Sequence, residues 1–436
     1  MPPVTPAPKR PKMASSAAPH PFRIRDFRFY WTARLASTVA QMSMIIVIGW
    51  QVYDIARQTM SLEKAALQLG FIGLVQFIPL FALTLITGWV ADRVDRRIIA
   101  RASIALELLC ALTLAVVTYT GAVSLAWLFS VAALLGVARA FAGPALGALA
   151  PNLVPRESLP RAIALSSMSW QSGAIAGPAV GGYLYAWNPH MPYAVSSGLF
   201  ALSLFCMFMI RPIVRSEIEG SRNPWRQMID GLHYVRRNRL VLGAISLDLF
   251  AVLLGGATAM LPVFARDILH SDSTALGHLR AAPAVGATLT ALWFSWRPMK
   301  DNVGTKMLAA VAVFGAATIA FGLSRNMVLS VACLALLGSA DMVSVYVRQS
   351  LIQLYTPDAM RGRVGAASTL FISASNELGE AESGFLAALI GPVVAVVAGG
   401  VGAIAVTLLW ARWFPELRRA RTFDPPDELA KEGATA

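Results

Sequence analysis

Charged side chains in the middle of long apolar runs are the first sign of chemistry in this chain. Glu107 stands inside the run Ile98–Thr118, Arg139 inside Ser124–Ala148 and Asp248 inside Leu240–Ala265. Asp341 stands inside Met327–Leu351, and Glu377, Glu380 and Glu382 inside Arg363–Leu389. If these runs lie in a bilayer, a charge near mid-depth costs about 2.5–3.5 kcal/mol and needs a partner or a task. Two chemistries fit. Opposite charges can pair in a structural cluster, or a buried carboxyl can take up and release a proton. Both stay open for Arg139, Asp248, Asp341 and Glu377. Glu107 reads as part of a packing face, and Glu380 and Glu382 as close enough to water to be solvated.

Glycine spacing adds a mechanical signal. Gly173, Gly177 and Gly181 recur every fourth residue, so they share one helix face, with Pro178 and Gly182 beside them. A face without side chains lets a neighbouring helix approach closely. Between the apolar runs Leu67–Val90 and Ile98–Thr118 lies the charged turn Gly88–Arg97, with Asp92, Arg93, Arg96 and Arg97. Asp54 and Asp267 close two other runs and read as contacts at their ends. Trp50, Gln51, Tyr53, Gln76 and Phe77 read either as cavity lining or as interface anchors and packing.

Composition dictates the elements that carry these residues. Of 436 residues 56% are hydrophobic and only 14% charged, with mean hydropathy +0.59. A soluble surface needs more charge, so this is an integral membrane protein. The apolar runs are long and continuous, which predicts helices and not a barrel. Twelve spans are expected, among them Leu159–Trp187 as the fifth and Leu240–Ala265 as the seventh. The predicted division is a disordered tail at 1–21, a six-helix bundle at 22–210, a polar connection at 211–239, a second bundle at 240–414 and a tail at 415–436. Basic residues gather on one side, in loops holding Arg93, Arg96, Arg97, Arg101, Arg297, Lys300, Lys306 and Arg348. That bias makes the side cytoplasmic, with both termini on it. It also accounts for the net charge of +13 without nucleic acid. Cys110, Cys206 and Cys333 sit alone in apolar runs and read as small hydrophobes. The five histidines make no metal spacing, and no phosphate-binding loop or nucleophile elbow is present. The expectation is a monomer in the lipid bilayer, without metal or cofactor, that is not an enzyme.

The halves echo each other. Pro155 pairs with Pro357 and Arg161 with Arg363 at one offset, and the same offset sets Arg139 opposite Asp341. A duplicated six-helix unit implies two pseudo-symmetric bundles with a cavity between them.

Here the chain resembles the Major Facilitator Superfamily. Gly88, Asp92, Arg93, Arg96 and Arg97 match its signature between the second and third helices, with Asp95 where glycine is usual. Arg139 followed by Gly143, Pro144 and Ala145 is similar to its fourth-helix signature. Gly173, Gly177, Pro178, Gly181 and Gly182 are similar to the fifth-helix signature of its antiporters. The stretches Gly231–Asn238, Leu261–Leu269 and Leu279–Pro283 resemble the bacterial branch of enterobactin-type siderophore exporters and macrolide efflux proteins. The resemblance implies the superfamily's all-α fold of twelve helices in the inner membrane. It implies a latch in which Asp92 meets the start of the eleventh helix near Arg361 and Arg363. It also leaves two readings of the fifth-helix glycines, tight packing or a seal against the other half. The expected function is proton-coupled export of a small amphipathic, siderophore-like or drug-like compound by alternating access. Uptake symport, lipid transport, a sensor or an enzyme on the same fold are the alternatives.

Overall fold

In hydrocarbon, every backbone amide must be satisfied within its own segment, and among the described residues the chain uses helices and no strand. The computed structural model describes residues 20–211, 224–299 and 301–423; Lys300 and the far tails lie outside it. Within helices, the side chains of Gly88, Asp92, Arg93 and Arg361 lie outside the described ones.

The first bundle is α1 (Arg25–Thr59), α2 (Leu62–Arg93), α3 (Arg96–Tyr119), α4 (Leu125–Leu149), α5 (Leu159–Trp187) and α6 (Met191–Met209). α1 packs on α5 and α6, α4 on α2 and α3, and α3 on α6. The polar connection is not all loop. It contains α7 (Pro224–Arg237), which starts on a proline, where the missing N–H is harmless. α7 lies on the ends of the second bundle. That bundle holds α8 (Arg239–Leu254), the short α9 (Leu261–Val263), α10 (Ser273–Trp296), α11 (Val303–Leu323), α12 (Met327–Leu354), α13 (Asp358–Ile390) and α14 (Pro392–Trp413). A last turn, α15 (Pro415–Arg419), follows. α8 with the segment after it forms one span, so the count is twelve in two sets of six. Below, the side of the α2–α3 turn is the basic face, and the opposite side the far face.

Nine of the described helical stretches are long and apolar enough to cross a membrane by length and composition alone. α5, α10 and α13 fall short of that standard. These are three of the four helices that meet across the two bundles, α5 packing on α10 and α13 on α2.

Three local features depart from the sequence reading. The seventh span is not one helix. It stops at Gly255, continues as a 3-10 turn (Ala257–Met260) and α9, and ends in a π turn at Phe264–Ile268. Pro262 supplies no N–H, and a Cβ at Gly256 would lie 2.4 Å from the Gly379 carbonyl of α13, so the backbone bends where α13 comes closest. Asp95 has a clear role. It caps α3, its carboxylate accepting the Arg97 amide at 2.9 Å and the Arg97 guanidinium at 2.5 Å. An aspartate therefore suits this turn as well as a glycine does.

The third departure corrects a choice left open by the sequence. Three of the four α5 glycines face their own bundle and not the other half. Cβ atoms at Gly173, Gly177 and Gly181 would lie 2.6–2.7 Å from side-chain atoms of Thr38, Met42 and Ser43, all on α1 of the same bundle. Only Gly182, one residue on and so about 100° round the helix, meets the other half, at Ser273 and Gly277 of α10. Gly177→Leu should therefore weaken the first bundle itself. The expected loss is about 1–3 kcal/mol from overpacking, read as a lower Tm of the detergent-solubilised protein. An unchanged Tm would contradict this packing.

Candidate functional site

Close helix approach sets the depth at which the buried charges meet. Gly136 of α4 lies against the backbone of Gln76, where a Cβ would come within 2.7 Å of its carbonyl. Arg139, three residues on along the same face, therefore reaches the Gln76 side chain, and Nη1 donates to Oε1 at 3.0 Å. Gly73 of α2, one turn before Gln76, lies against Glu377 and Glu380 of α13. That brings the Glu377 carboxylate to the same level, 3.0 Å from Arg139 Nη2. The result is a charged bridge between the bundles, from α4 and α2 to α13. Its side chains are mostly shielded, Arg139 being 25% and Glu377 9% exposed. Asp341 is not the partner of Arg139, although the repeat offset sets the two opposite.

Of the neighbouring acids, Glu380 and Glu382 differ from their reading and Glu107 keeps to it. Glu380 is not merely solvated; it pairs with Arg280 of α10 at 3.4 Å. Glu382 has one carboxylate oxygen that is buried and without a hydrogen-bond partner. Glu107 is buried in the first bundle and accepts from Gln41 at 3.0 Å. Gln51 also turns into that bundle, where Tyr193 donates to it at 2.8 Å.

A second buried cluster lies wholly in the second bundle. Asp248 of α8 pairs with Arg348 of α12, both nearly inaccessible, beside a narrow void that Asp341, Ser344 and Phe314 also line. Arg348, read from sequence as a loop charge, is therefore an interior residue. Ser344 Oγ and Arg348 Nε have no hydrogen-bond partner among the described residues. The signal was present: Arg348 follows Asp341 by seven residues, two turns on the same face. Hydropathy does not reveal it, because an arginine near the end of an apolar run reads as the run's boundary.

The far face is closed by both packing and charge. Gly70 of α2 and Gly384 of α13 cross so closely that a Cβ on Gly384 would lie 2.3 Å from the Gly70 Cα. Ser273 Oγ of α10 donates to the Gly182 carbonyl at 3.0 Å, and further from this face along the same crossing Gln171 of α5 donates to Thr288 at 2.9 Å. The π turn then presents two consecutive charges to α1. Arg266 pairs with Asp54, while Asp267 accepts from the Tyr53 hydroxyl at 2.5 Å and from Arg57 at 3.0 Å. Half-exposed ion pairs contribute about 0–1 kcal/mol each. Glycine packing therefore supplies most of the closure, and the charges fix its register.

The basic face carries part of the expected latch. Arg97 bonds to Asp95, and Arg363 pairs with Asp230 of α7 at 3.2 Å. Arg96 stands half-buried beside them, and Gly88 and the side chains of Asp92, Arg93 and Arg361 lie outside the described ones.

The family model described as transmembrane secretion effector matches residues 15–427. The enterobactin exporter EntS of Escherichia coli O157:H7 is 28% identical over 294 residues, covering 66% of this chain and 69% of the exporter. The enterobactin exporter of Shigella boydii serotype 18 is 28% identical over 293 residues, with the same coverages. A bacterial homologue of the human lysosomal transporter Spinster, inward-facing and occupied, superposes with a TM-score of 0.69. It is 15% identical, covering 92% of this chain and 99% of its own. The D-xylose–proton symporter gives 0.69 at 13% identity, covering 91% and 98%. At such identities the two structures speak to the fold alone.

The bridge yields a direct expectation. Arg139→Met leaves the buried Glu377 carboxylate without its cation and should cost about 3 kcal/mol. The double variant R139M/E377M, which removes both charges, should recover most of that loss in Tm. If the two losses simply add, the pair does not interact as drawn.

Proposed function

Because the chain belongs to the transmembrane secretion effector family of the Major Facilitator Superfamily, we propose that it exports a small amphipathic compound, siderophore-like or drug-like, in exchange for protons. The basic face is the cytoplasmic side of the inner membrane in this reading, both termini lie there, and a monomer is the working unit. The two bundles, at 22–210 and 240–414, rock about the connection at 211–239.

One observation carries the reading: a carboxylate, Glu377, is bonded across the bundle interface to Arg139 at mid-depth. A proton on Glu377 removes the charge that holds Arg139, so proton loading and separation of the bundles become one event. Release of Arg139 also frees a cation between the bundles for an electronegative substrate group. Each proton moving inward through 100 mV supplies about 2.3 kcal/mol, and each unit of pH difference about 1.4 kcal/mol more. Asp248 is engaged by Arg348, so in this reading coupling centres on Glu377, with Asp341 as a second carboxyl beside the void. When the far face opens, the basic face is held shut by a latch. Gly88, Asp92, Arg93, Arg96 and Arg97 meet the start of α13 at Arg361 and Arg363. The relatives' names support export and a siderophore-like cargo.

Transport in liposomes under an imposed pH gradient tests this, with siderophores and macrolides as the panel. Wild-type protein should accumulate at least one panel compound against its gradient. Glu377→Gln should keep substrate exchange but lose about tenfold of gradient-driven accumulation, one pH unit's worth of coupling. Gradient-driven accumulation equal to wild type in Glu377→Gln would contradict proton coupling at this residue.

A further inference from the structure

A cavity of about 760 Å³ opens on the basic face of the second bundle, far from the charged bridge. Its walls come from three places in the chain. The end of α7 and start of α8 supply Tyr234, Arg237 and Arg239; the end of α12 supplies Tyr355; and α15 supplies Glu416 and Arg419. Three arginines thus face one carboxylate. Arg239 is already engaged: its guanidinium pairs with Glu416 at 2.9 Å and donates to the Trp413 carbonyl at 2.9 Å. The side chains of Arg237 and Arg419 make no hydrogen bond or ion pair with the described residues. Among the described residues, two of the three cations that line the cavity are therefore without an anion, Glu416 being held by Arg239.

Both are carried on fixed backbone. α7 is tied down by the Tyr234 hydroxyl, which donates to the Tyr355 carbonyl at 2.7 Å, and by the Asp230–Arg363 pair. α15 is tied to the start of α11, where the Gly304 amide donates to the Ala420 carbonyl at 3.0 Å. The depth of the cavity is also set. α14 ends in Trp410 and Trp413, Trp410 packing with both Trp413 and Phe414, and such aromatic rings sit at the headgroup level of a bilayer. Glu416 and Arg419 follow within two turns.

We propose that this cavity binds a phosphate group, presented by the headgroup of an anionic membrane phospholipid, between Arg237 and Arg419. Basic pockets at this depth recognise anionic headgroups by charge and by hydrogen bonds to the phosphate oxygens. The volume suits a headgroup. The site is separate from the export pathway and does not depend on which compound is moved.

The full-length protein, delipidated in neutral detergent, is titrated with phosphatidylglycerol, phosphatidylcholine or inorganic phosphate, and adducts are counted by native mass spectrometry. Wild-type protein should retain phosphatidylglycerol in preference to phosphatidylcholine. R237Q/R419Q should weaken phosphatidylglycerol binding about thirtyfold, the loss expected for two arginines near the headgroup plane. R236Q/R418Q removes the same charge from exposed positions outside the cavity and should retain the preference. Inorganic phosphate adducts lost only in R237Q/R419Q, without any lipid preference, would support the site but assign it to a soluble phosphate-bearing anion. Equal binding of every probe by wild type and R237Q/R419Q, or equal loss in both double variants, would overturn the proposal.

Discussion

The bond between Arg139 and Glu377 is the constraint around which the two bundles are arranged. Either charge alone at mid-depth costs about 2.5–3.5 kcal/mol, so neither helix can settle until the other is at the same level. Gly136 and Gly73 make that level reachable by letting α4 reach α2, and α2 reach α13, at Gln76 and Glu377. A buried ion pair is rarely more stabilising than well-packed apolar residues of similar volume. Stability therefore does not explain its presence. A bond across the moving interface that one proton can break does explain it.

The far face follows the same economy of parts. The α2–α13 and α5–α10 crossings are held by glycine and small-residue contact. Such contacts are strong when closed, and the α5–α10 crossing adds the Ser273–Gly182 and Gln171–Thr288 hydrogen bonds. The paired charges from the π turn add register and little energy. Irregular backbone occurs where it is covered by protein, at Gly255–Ile268 against α13 and α1, as the absence of water in hydrocarbon requires.

Fold class was legible because it depends on coarse quantities: apolar length, charge asymmetry and a repeat offset shared by Pro155/Pro357 and Arg161/Arg363. Individual partners were less legible. The offset set Arg139 opposite Asp341, yet the bond runs to Glu377, because pairing depends on which helices cross and not on where they sit in the repeat. The α5 glycines were visible as a ladder, but the face they present was not; it belongs to α1. Gly70 and Gly73 of α2 and Gly384 of α13, which do join the halves, form no ladder as long as that of α5. Arg348 reads as a loop charge because hydropathy treats any arginine near a helix end as an exit from the membrane, whereas this one answers Asp248. Asp95 became intelligible only as a cap.

The coupling of charge to bundle separation is tested most directly by a distance across the far face. Spin labels placed at Lys64 of α2 and Leu389 of α13, both exposed, report it by pulsed electron resonance. The buried Cys110, Cys206 and Cys333 are replaced first. In lipid nanodiscs at neutral pH the wild-type distance should be short and narrowly distributed. Acidification, or Glu377→Gln at neutral pH, should add a longer population of the same length in both cases. A distribution unchanged by acid and by Glu377→Gln would contradict the claim that the Arg139–Glu377 bond holds the two bundles together.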